Sequence, residues 1–218
     1  MQLRSFFVIA VLILTSTFYV AGQTPEKISP PATASRIDFS ATLGAVDPFS
    51  DSNIEEPKEL SVRRGEVLVL RIQGTPKTGF HTYPITQRTE NQDENGLSKI
   101  TFKTNPVFSP IYPLKESEPE WKEEGVLGYF LEFEKPFTWT QEIYIQPDAT
   151  LGKTELNFSI KLQVCDSKCV WGEHLFSIPV SVSKADPLET LEELKQRLAI
   201  KEEAPKIVAN PKSSNPKG

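Results

Sequence analysis

The chain has 218 residues, with 29 acidic and 24 basic side chains and a formal net charge of −5. This acidic balance, without a basic patch, argues against nucleic acid as a partner. The sequence contains two histidines, two cysteines and one methionine, which is Met1. So few ligands and proton acceptors leave little room for a metalloenzyme or a histidine-dependent hydrolase.

The first residues have the pattern of a secretory signal. Arg4 supplies a positive start, and the stretch Phe6–Ala21 is apolar apart from residues 15–17. Small residues then offer a cleavage site before Gln23. We predict a signal peptide over residues 1–22; a retained anchor is the alternative, although the run is short for a span of about 20 apolar residues. The mature protein is expected to be soluble and exported, periplasmic or extracellular, where disulfides persist.

The middle of the chain is predicted to be almost wholly β. Residues 23–34 are rich in proline and small polar residues and are predicted to form an extended leader. In residues 35–184, apolar and polar residues alternate in short runs, as in half-buried antiparallel strands. This pattern, without a long internal helix, predicts an all-β fold, an immunoglobulin-like antiparallel β-sandwich. The candidate strands are Arg36–Thr42, Glu66–Gln73, Phe80–Ile85, Ile100–Thr104, Val126–Glu134, Gln141–Gln146, Thr154–Cys165 and Leu175–Ser183.

The longest stretch predicted to be irregular runs from residue 108 to residue 125. It contains three prolines and the aromatic residues Phe108, Tyr112 and Trp121, of which the last two are the candidates for a functional role. Long loops in compact domains are usually functional or disordered. A lid or partner-facing loop carrying one of these aromatic residues is one interpretation, and a plain packed Ω-loop is the other.

Residues 185–218 are predicted to form a helix and a disordered tail. Asp186 is a candidate N-cap, Pro187 suits the first helical position, and leucines follow at near-helical spacing. We expect one amphipathic helix over about residues 187–202. Packing on the sandwich and docking into a partner's groove both remain open.

The two cysteines, Cys165 and Cys169, are predicted to face each other across a hairpin turn at residues 166–168. Between Leu156 and Val164, apolar residues alternate with polar ones, which places Cys165 on the polar face. The turn fixes the register of the strands. The further facing pairs are Lys161 with Glu173, Phe158 with Phe176, and Leu156 with Ile178.

A disulfide between these cysteines is predicted to serve chemistry. It would close a loop of five residues, which restrains the unfolded chain by only about 2 kcal/mol. Facing strand residues are spaced somewhat more widely than a disulfide prefers, so we expect a bond that is easily reduced. Lys168 favours a thiolate at Cys169 and Asp166 disfavours one at Cys165, so Cys169 is the expected partner-facing sulfur and Cys165 the resolving one. The alternative is a structural staple in a non-catalytic, immunoglobulin-like protein-binding module.

Three stretches carry a family resemblance. They are Gly79-Phe80-His81-Thr82-Tyr83, the strand Gly128-Tyr129-Phe130-Leu131-Glu132-Phe133, and Gln163-Val164-Cys165 followed closely by Cys169. With them, roughly residues 36–183 resemble the N-terminal periplasmic domain of the thiol:disulfide interchange protein DsbD and the related DsbC-like corrector domains.

The resemblance implies an immunoglobulin-like sandwich with a redox-active disulfide. Such a domain passes electrons from a membrane-embedded reductase, by way of a thioredoxin-like module, to exported client proteins. Its second cysteine forms the mixed disulfide, which agrees with the choice of Cys169. His81 and Tyr83 match the strand that lines the family's active site, and Tyr112 or Trp121 would correspond to its shielding aromatic residue.

The chain also departs from the family pattern. Its cysteines are separated by three residues, whereas family members usually have a longer spacing, and Val170-Trp171-Gly172 stands where prolines usually follow. No stretch corresponds to the family's membrane or thioredoxin-like domains. We therefore expect a separate protein as the electron donor, and a domain that has lost transfer activity is the alternative.

Metal binding and hydrolysis are the remaining alternatives. The cysteines followed by His174 resemble a binuclear copper pattern, but the histidine spacing differs and the pattern also needs a methionine. A zinc site that adds His81 is possible by number alone, although two unrelated structural histidines are preferred. No nucleophile, zinc-protease or phosphate-loop motif is present. No metal, cofactor or small-molecule substrate is therefore predicted.

Overall fold

The protein is an all-β sandwich with a short helix near its C-terminal end, as the sequence predicts. The computed structural model describes residues 30–45 and 60–210. The predicted signal peptide, most of the predicted leader and the end of the predicted tail lie outside those residues. Within them, no helix is long and apolar enough to cross a membrane.

The described residues form strands of 2 to 14 residues and one helix, α1 (Glu192–Ala199). Single 3₁₀ turns occur at Glu94–Gly96 and Gly125–Leu127. The strands are β1 (Ile37–Ala45), β2 (Leu60–Val62), β3 (Val67–Pro76), β4 (His81–Thr82), β5 (Gln87–Arg88), β6 (Lys99–Phe102), β7 (Phe108–Glu116), β8 (Glu120–Glu123), β9 (Tyr129–Glu132), β10 (Phe137–Ile145), β11 (Gly152–Cys165), β12 (Cys169–Val182) and β13 (Lys206–Ile207).

The first sheet has the strand order β1-β3-β10-β7, and all its neighbouring strands are antiparallel. Alternate residues of β3 and β10 point to one side, as the period of two predicts. Trp139 and Ile143 of β10 and Leu70 of β3 are fully buried there. These side chains form one half of the core.

The second sheet is built around the long hairpin β11–β12. Its register runs without a shift from Gly152 facing Val182 to Cys165 facing Cys169. The facing pairs predicted from the sequence are observed, and the Phe158 and Phe176 rings stack at 4.9 Å. β4 and β6 pair with the other side of β11, and β2 pairs with the end of β12.

The prediction of an irregular stretch over residues 108–125 was wrong. Most of it forms β7 and β8, even though Pro110 and Pro113 lie within β7. β7 is the last strand of the first sheet, and proline is tolerated at an edge because no neighbour there requires its N–H. Two other predicted strands are shorter than expected: Phe80–Ile85 is reduced to β4, and Val126–Glu134 to β9.

The C-terminal helix begins later than predicted. It starts at Glu192 rather than at residue 187, because tertiary contacts hold the preceding residues extended. Leu188 N–H donates to the Arg64 carbonyl at 2.9 Å, and the Thr190 hydroxyl hydrogen-bonds Tyr144 at 2.7 Å. The helix packs on β7, and its Arg197 pairs with Glu142 of β10.

The segment after the helix is more ordered than predicted. β13 pairs in parallel with β5 and lies inside the stretch that the sequence predicts to be disordered. Composition alone favours disorder there, but the backbone of β5 supplies hydrogen-bond partners, as Lys206 N–H donates to Thr86 O at 2.8 Å. The C-terminal segment is therefore bound to both the first sheet and the β5 strand.

Gly74 is the position at which the core tolerates no side chain. A Cβ atom there would lie 2.2 Å from the Phe137 ring, which is itself stacked on Phe133. We predict that Gly74→Ala lowers the free energy of unfolding by about 1–3 kcal/mol in urea denaturation, because the packed rings cannot move aside. Gly44→Ala is the matched control, since a Cβ there meets nothing within 4 Å, and it should change stability by less than about 0.5 kcal/mol. Equal losses for both variants would contradict this explanation.

Candidate functional site

The two cysteines form a disulfide at the turn end of the β11–β12 hairpin. Their Cα atoms are 4.0 Å apart, and the residues face each other directly across the two strands. Their exposures differ sharply: Cys165 is 2% exposed, whereas Cys169 is exposed to solvent. The expected access for an attacking thiolate is therefore present at Cys169 and absent at Cys165.

Cys165 is buried because the sheet continues beyond it. His81 of β4 faces Cys165 across the strand pair, and Thr82 faces Val164. The Thr82 hydroxyl donates to the Gln163 carbonyl at 2.8 Å, and its backbone exchanges hydrogen bonds with Phe133 just after β9. Facing residues in adjacent strands share one side of a sheet, so His81 lies on the same side as the disulfide.

His81 belongs to a small cluster of titratable side chains. Its Nε2 atom lies 3.5 Å from Glu132 Oε1 and 3.5 Å from the Tyr83 hydroxyl. Glu132 is only 1% exposed, and among the described residues its Oε2 atom has no hydrogen-bond partner. A buried, half-satisfied carboxyl group is rare in folded proteins and marks a candidate functional position.

Burial disfavours the charged form of each member of this cluster. It raises the pKa of Glu132 to about 7, with the carboxylates of Glu124 and Glu134 adding to the shift. Burial lowers the pKa of His81, although Glu134 opposes the change, and it raises the pKa of Tyr83 to about 12. Glu132 therefore gains and loses a proton near pH 7, next to the histidine that faces Cys165.

Arg36 is a site residue that the sequence did not indicate. Its Nη1 donates to the carbonyls of Val164 at 3.3 Å and Lys168 at 3.1 Å, which lie on the two sides of the hairpin turn. The same atom lies 3.7 Å from Asp166 Oδ1, and the guanidinium lies 5.1 Å from the centre of the Phe80 ring. Arg36 is 128 positions away from Val164, so no local pattern could place it there.

The charges at the turn differ from those expected from neighbours in sequence. The backbone N–H of Lys168 and, to a smaller extent, Arg36 lower the pKa of Asp166. Because Asp166 is paired with a cation, its charge is compensated beside Cys165. The sequence argument from Asp166 against a Cys165 thiolate is therefore weakened, while burial still disfavours that thiolate.

The two aromatic lid candidates occupy different parts of the molecule. Tyr112 lies on β7 in the first sheet, where burial and nearby Glu202 raise its pKa. Trp121 lies on β8 in the hairpin that carries Glu132, and its ring contacts Tyr129 at 6.5 Å between centroids. Trp121 faces Leu131, so it points to the side of the hairpin opposite Glu132.

His174 lies in a separate environment on the inner side of β12. It hydrogen-bonds the Thr33 hydroxyl at 2.8 Å, and its ring contacts Phe39 at 4.9 Å. Burial lowers its pKa. In residues 30–45 and 60–210, no group of three or more histidine, cysteine or acidic side chains is placed to bind a metal.

Comparisons with known proteins give only distant structural likenesses. No protein-family model and no curated protein matches the chain. The N-terminal periplasmic domain of ScsB from Proteus mirabilis is 14% identical with a TM-score of 0.40, over 75% of this chain and 53% of that chain. BcpA, the major pilin subunit of Bacillus cereus, is 12% identical with a TM-score of 0.33, over 68% of this chain and 41% of that one. The chain thus spans about half of these proteins or less, and the likenesses are too remote to assign a family or a function.

The raised pKa of Glu132 predicts a loss of stability as the pH rises. Its pKa is 4.5 in its ordinary state and about 7 in the folded protein, so the free energy of unfolding falls between those pH values as the unfolded state ionises first. We predict that Glu132→Gln is more stable than the wild type by about 1–3 kcal/mol at pH 8 and similar to it below pH 4.5. Urea denaturation across this pH range measures the difference.

Glu134→Gln is the matched control for this prediction. Glu134 lies two positions away, and its hydrogen bond with Lys122 lowers its pKa, which is the opposite direction. Its paired carboxylate therefore stabilises the folded state at neutral pH, which offsets the relief that its removal brings to Glu132, so its substitution should give a clearly smaller gain at pH 8 than Glu132→Gln. A similar gain for both variants would mean that general charge reduction, rather than the burial of Glu132, is responsible.

Proposed function

We propose that the chain is an exported thiol–disulfide exchange domain that works through Cys165 and Cys169. The observation that carries the proposal is the asymmetry of the disulfide. One cysteine is exposed and able to meet a partner, and the other is buried opposite a titratable histidine. The sequence resemblance to the DsbD N-terminal domain supports the same interpretation.

The exchange transfers two electrons from the domain to a client. In the reduced domain the Cys169 thiolate attacks one sulfur of a client disulfide, forms a mixed disulfide and releases the first client thiolate. The Cys165 thiolate then attacks the Cys169 sulfur, restores the Cys165–Cys169 bond and releases the second client thiolate. The protons of the two cysteine thiols end on the two client sulfurs. A thioredoxin-like or membrane-embedded thiol reductase re-reduces the domain.

His81, with Glu132 next to it, is positioned to accept the proton of the Cys165 thiol. Cys165 must lose its proton to act as the resolving thiolate, and it is buried where bulk water is excluded. His81 faces it across the strand pair, and the Glu132 carboxyl next to His81 exchanges protons near neutral pH. His81 accepts the proton, and Glu132 is a positioning residue that acts through His81.

Arg36 holds the two cysteines close together when the disulfide is open. Its bonds to the carbonyls of Val164 and Lys168 span the turn independently of the sulfur–sulfur bond. The reduced hairpin therefore keeps its geometry, and Cys165 stays within reach of a mixed disulfide on Cys169. The positive charge also favours the thiolate form at this end of the sheet.

A structural staple in a protein-binding module is the second candidate function. It is favoured by the burial of Cys165, which shields one sulfur from attack, and by the hydrogen bonds of Arg36, which fit a rigid turn equally well. In this case the disulfide stays closed and the domain binds partners without exchange.

The reduction potential distinguishes the two candidates. We expect a value between about −250 and −120 mV, the range of exchange proteins. The mature chain is equilibrated in glutathione buffers of known ratio, and its alkylated thiols are counted by mass spectrometry. A value below about −300 mV is typical of structural disulfides and would favour the binding module.

Trapping tests which sulfur meets the client. We predict that reduced Cys165→Ser accumulates mixed disulfides through Cys169 when it is mixed with a thioredoxin-like protein that keeps only its nucleophilic cysteine, activated as a thionitrobenzoate disulfide, because neither protein then carries a resolving sulfur. Cys169→Ser is the matched control and should accumulate far fewer, because Cys165 is only 2% exposed. Non-reducing electrophoresis followed by mass spectrometry measures both. Equal trapping by the two variants, or none by either, would contradict the assignment.

A further inference from the structure

One side of β12 is an open sheet edge that begins at Cys169. β12 pairs with β11 over its full length, but with β2 only over Val180–Val182. Within the part of the chain that the structure describes, the stretch from Cys169 to Pro179 has no strand on its other side. Its even-numbered side chains up to Ile178, which point toward the core, are only half-buried.

The register shows which backbone groups of this edge face outward. Lys103 N–H donates to the Asn157 carbonyl, so Asn157 directs its backbone groups away from β12. In an antiparallel pair the facing residue does the same, so Ser177 directs its N–H and C=O away from β11. By alternation Trp171 and Glu173 also face outward, and among the described residues no backbone hydrogen bond reaches them.

Proteins usually protect such an edge, and this one carries little protection. Lysines, prolines and bulges are the common devices that block the addition of another strand. The β11–β12 register contains no bulge, and β12 has no lysine. Its one proline, Pro179, lies next to the part already paired with β2. Among the described residues, Thr33 contacts this edge through His174, and no strand pairs with the stretch nearest Cys169.

The side chains along this edge provide contacts on both faces of an added strand. On the outer face Trp171 is 44% exposed and Leu175 is 60% exposed, in the same row as Cys169. On the inner face a cleft of about 380 Å³ has Phe39 and Phe176 among its apolar lining residues. Strand addition uses this combination, in which main-chain bonds give affinity and alternating pockets give selectivity.

We propose that the free edge of β12 binds an extended, cysteine-containing segment of the client protein by strand addition and places the client sulfur opposite Cys169. This inference rests on the proposed exchange function and names how the client is held. Adjacent strands lie about 4.7–4.9 Å apart, so a strand added here approaches Cys169 as closely as β11 does. Facing side chains share one side of the sheet, and the client cysteine then meets Cys169 on the face that carries Cys165.

This arrangement favours the exchange reaction itself. The client sulfur, the Cys169 sulfur and the Cys165 sulfur would lie in one row across three adjacent strands. A thiolate attacks a disulfide sulfur opposite the sulfur that leaves, so a row with Cys169 in the middle suits attack by Cys165. A client bound elsewhere on the exposed side of Cys169 would not be held in this line.

Charge indicates the kind of segment that fits. Asp38 lines the inner cleft, Glu173 lies on the outer face of the same edge, and the chain as a whole carries a formal charge of −5. A segment with basic and apolar side chains around its cysteine is therefore favoured over an acidic one. A second copy of this chain is a poorer occupant, because two antiparallel β12 edges would place each Cys169 near the far end of the other strand.

The test measures how fast the reduced mature chain reacts with two probes that carry the same leaving group. One is a linear peptide with alternating valine and lysine around a central cysteine that carries thionitrobenzoate. The other is the single amino acid cysteine carrying the same group. Release of thionitrobenzoate, followed by absorbance, gives both rates, and we expect the peptide to react at least about tenfold faster than the single amino acid. Equal rates would overturn the inference.

Glu173→Pro removes one outward-facing N–H in the middle of the edge. Gly172 precedes it, and Pro179 occupies an equivalent outward-facing position in the native strand. The ratio of the peptide rate to the amino-acid rate should fall about tenfold in this variant, as expected for a lost main-chain hydrogen bond. Glu173→Ala is the matched control, since it removes the same charge and keeps the N–H, and its ratio should fall less than about threefold. Equal losses in the two variants would overturn strand addition.

Failure of the exchange function itself has a different signature. If neither probe reacts, the proposed function is wrong, and binding is then measured with the Cys165→Ser, Cys169→Ser double variant and a serine version of the peptide. Saturable binding that Glu173→Pro weakens supports the edge site, and no binding overturns it. A dimer in light scattering that Glu173→Pro dissociates would show that a second copy occupies the edge, which also overturns the proposed occupant.

Discussion

The unbroken pairing of β11 with β12 is the constraint on which the rest of the site depends. Side chains in a strand alternate between two faces, so a shift of one residue would move every apolar side chain of β11 out of the core. The stacked rings of Phe158 and Phe176 and the burial of Leu162 hold the register in place. Because the core fixes that register, the two cysteines meet at the end of the hairpin without any need for the disulfide to bring them together.

The two sides of this hairpin have different surroundings, and the difference gives the cysteines different properties. On the side of β11, β4 continues the sheet and is bridged to Phe133, just after β9; Cys165 is buried there, and His81 faces it with Glu132 next to His81. On the side of β12, no strand of residues 30–45 and 60–210 pairs with the stretch that begins at Cys169, and Cys169 is exposed. The order of the strands therefore explains both properties: Cys165 is buried opposite His81, and Cys169 is exposed at the edge of the sheet.

The proposed site offers a reason for the buried Glu132 carboxyl, one oxygen of which has no hydrogen-bond partner among the described residues. A carboxyl group that is 1% exposed with an unpartnered oxygen costs stability whenever it ionises. Glu132 has neighbours that add to this cost, since Glu124 and Glu134 raise its pKa further. The cost of burying the Glu132 carboxyl has an explanation if its proton is used, as in the role proposed for Glu132 through His81.

The sequence by itself determined the fold class, the hairpin, its register and the cysteine pairing. Each of these depends on the alternation of apolar and polar residues along a strand or on residues that are close in sequence. The sequence also indicated His81 and Tyr83, through a resemblance. It could not place Arg36 at the turn or Glu132 beside His81, since these contacts join distant segments. The edge strand β7, the late start of α1, the burial of Cys165 and the open edge of β12 were likewise decided only by tertiary structure. Each depends on which strand lies next to which, and the pattern of a single strand carries no information about its neighbours.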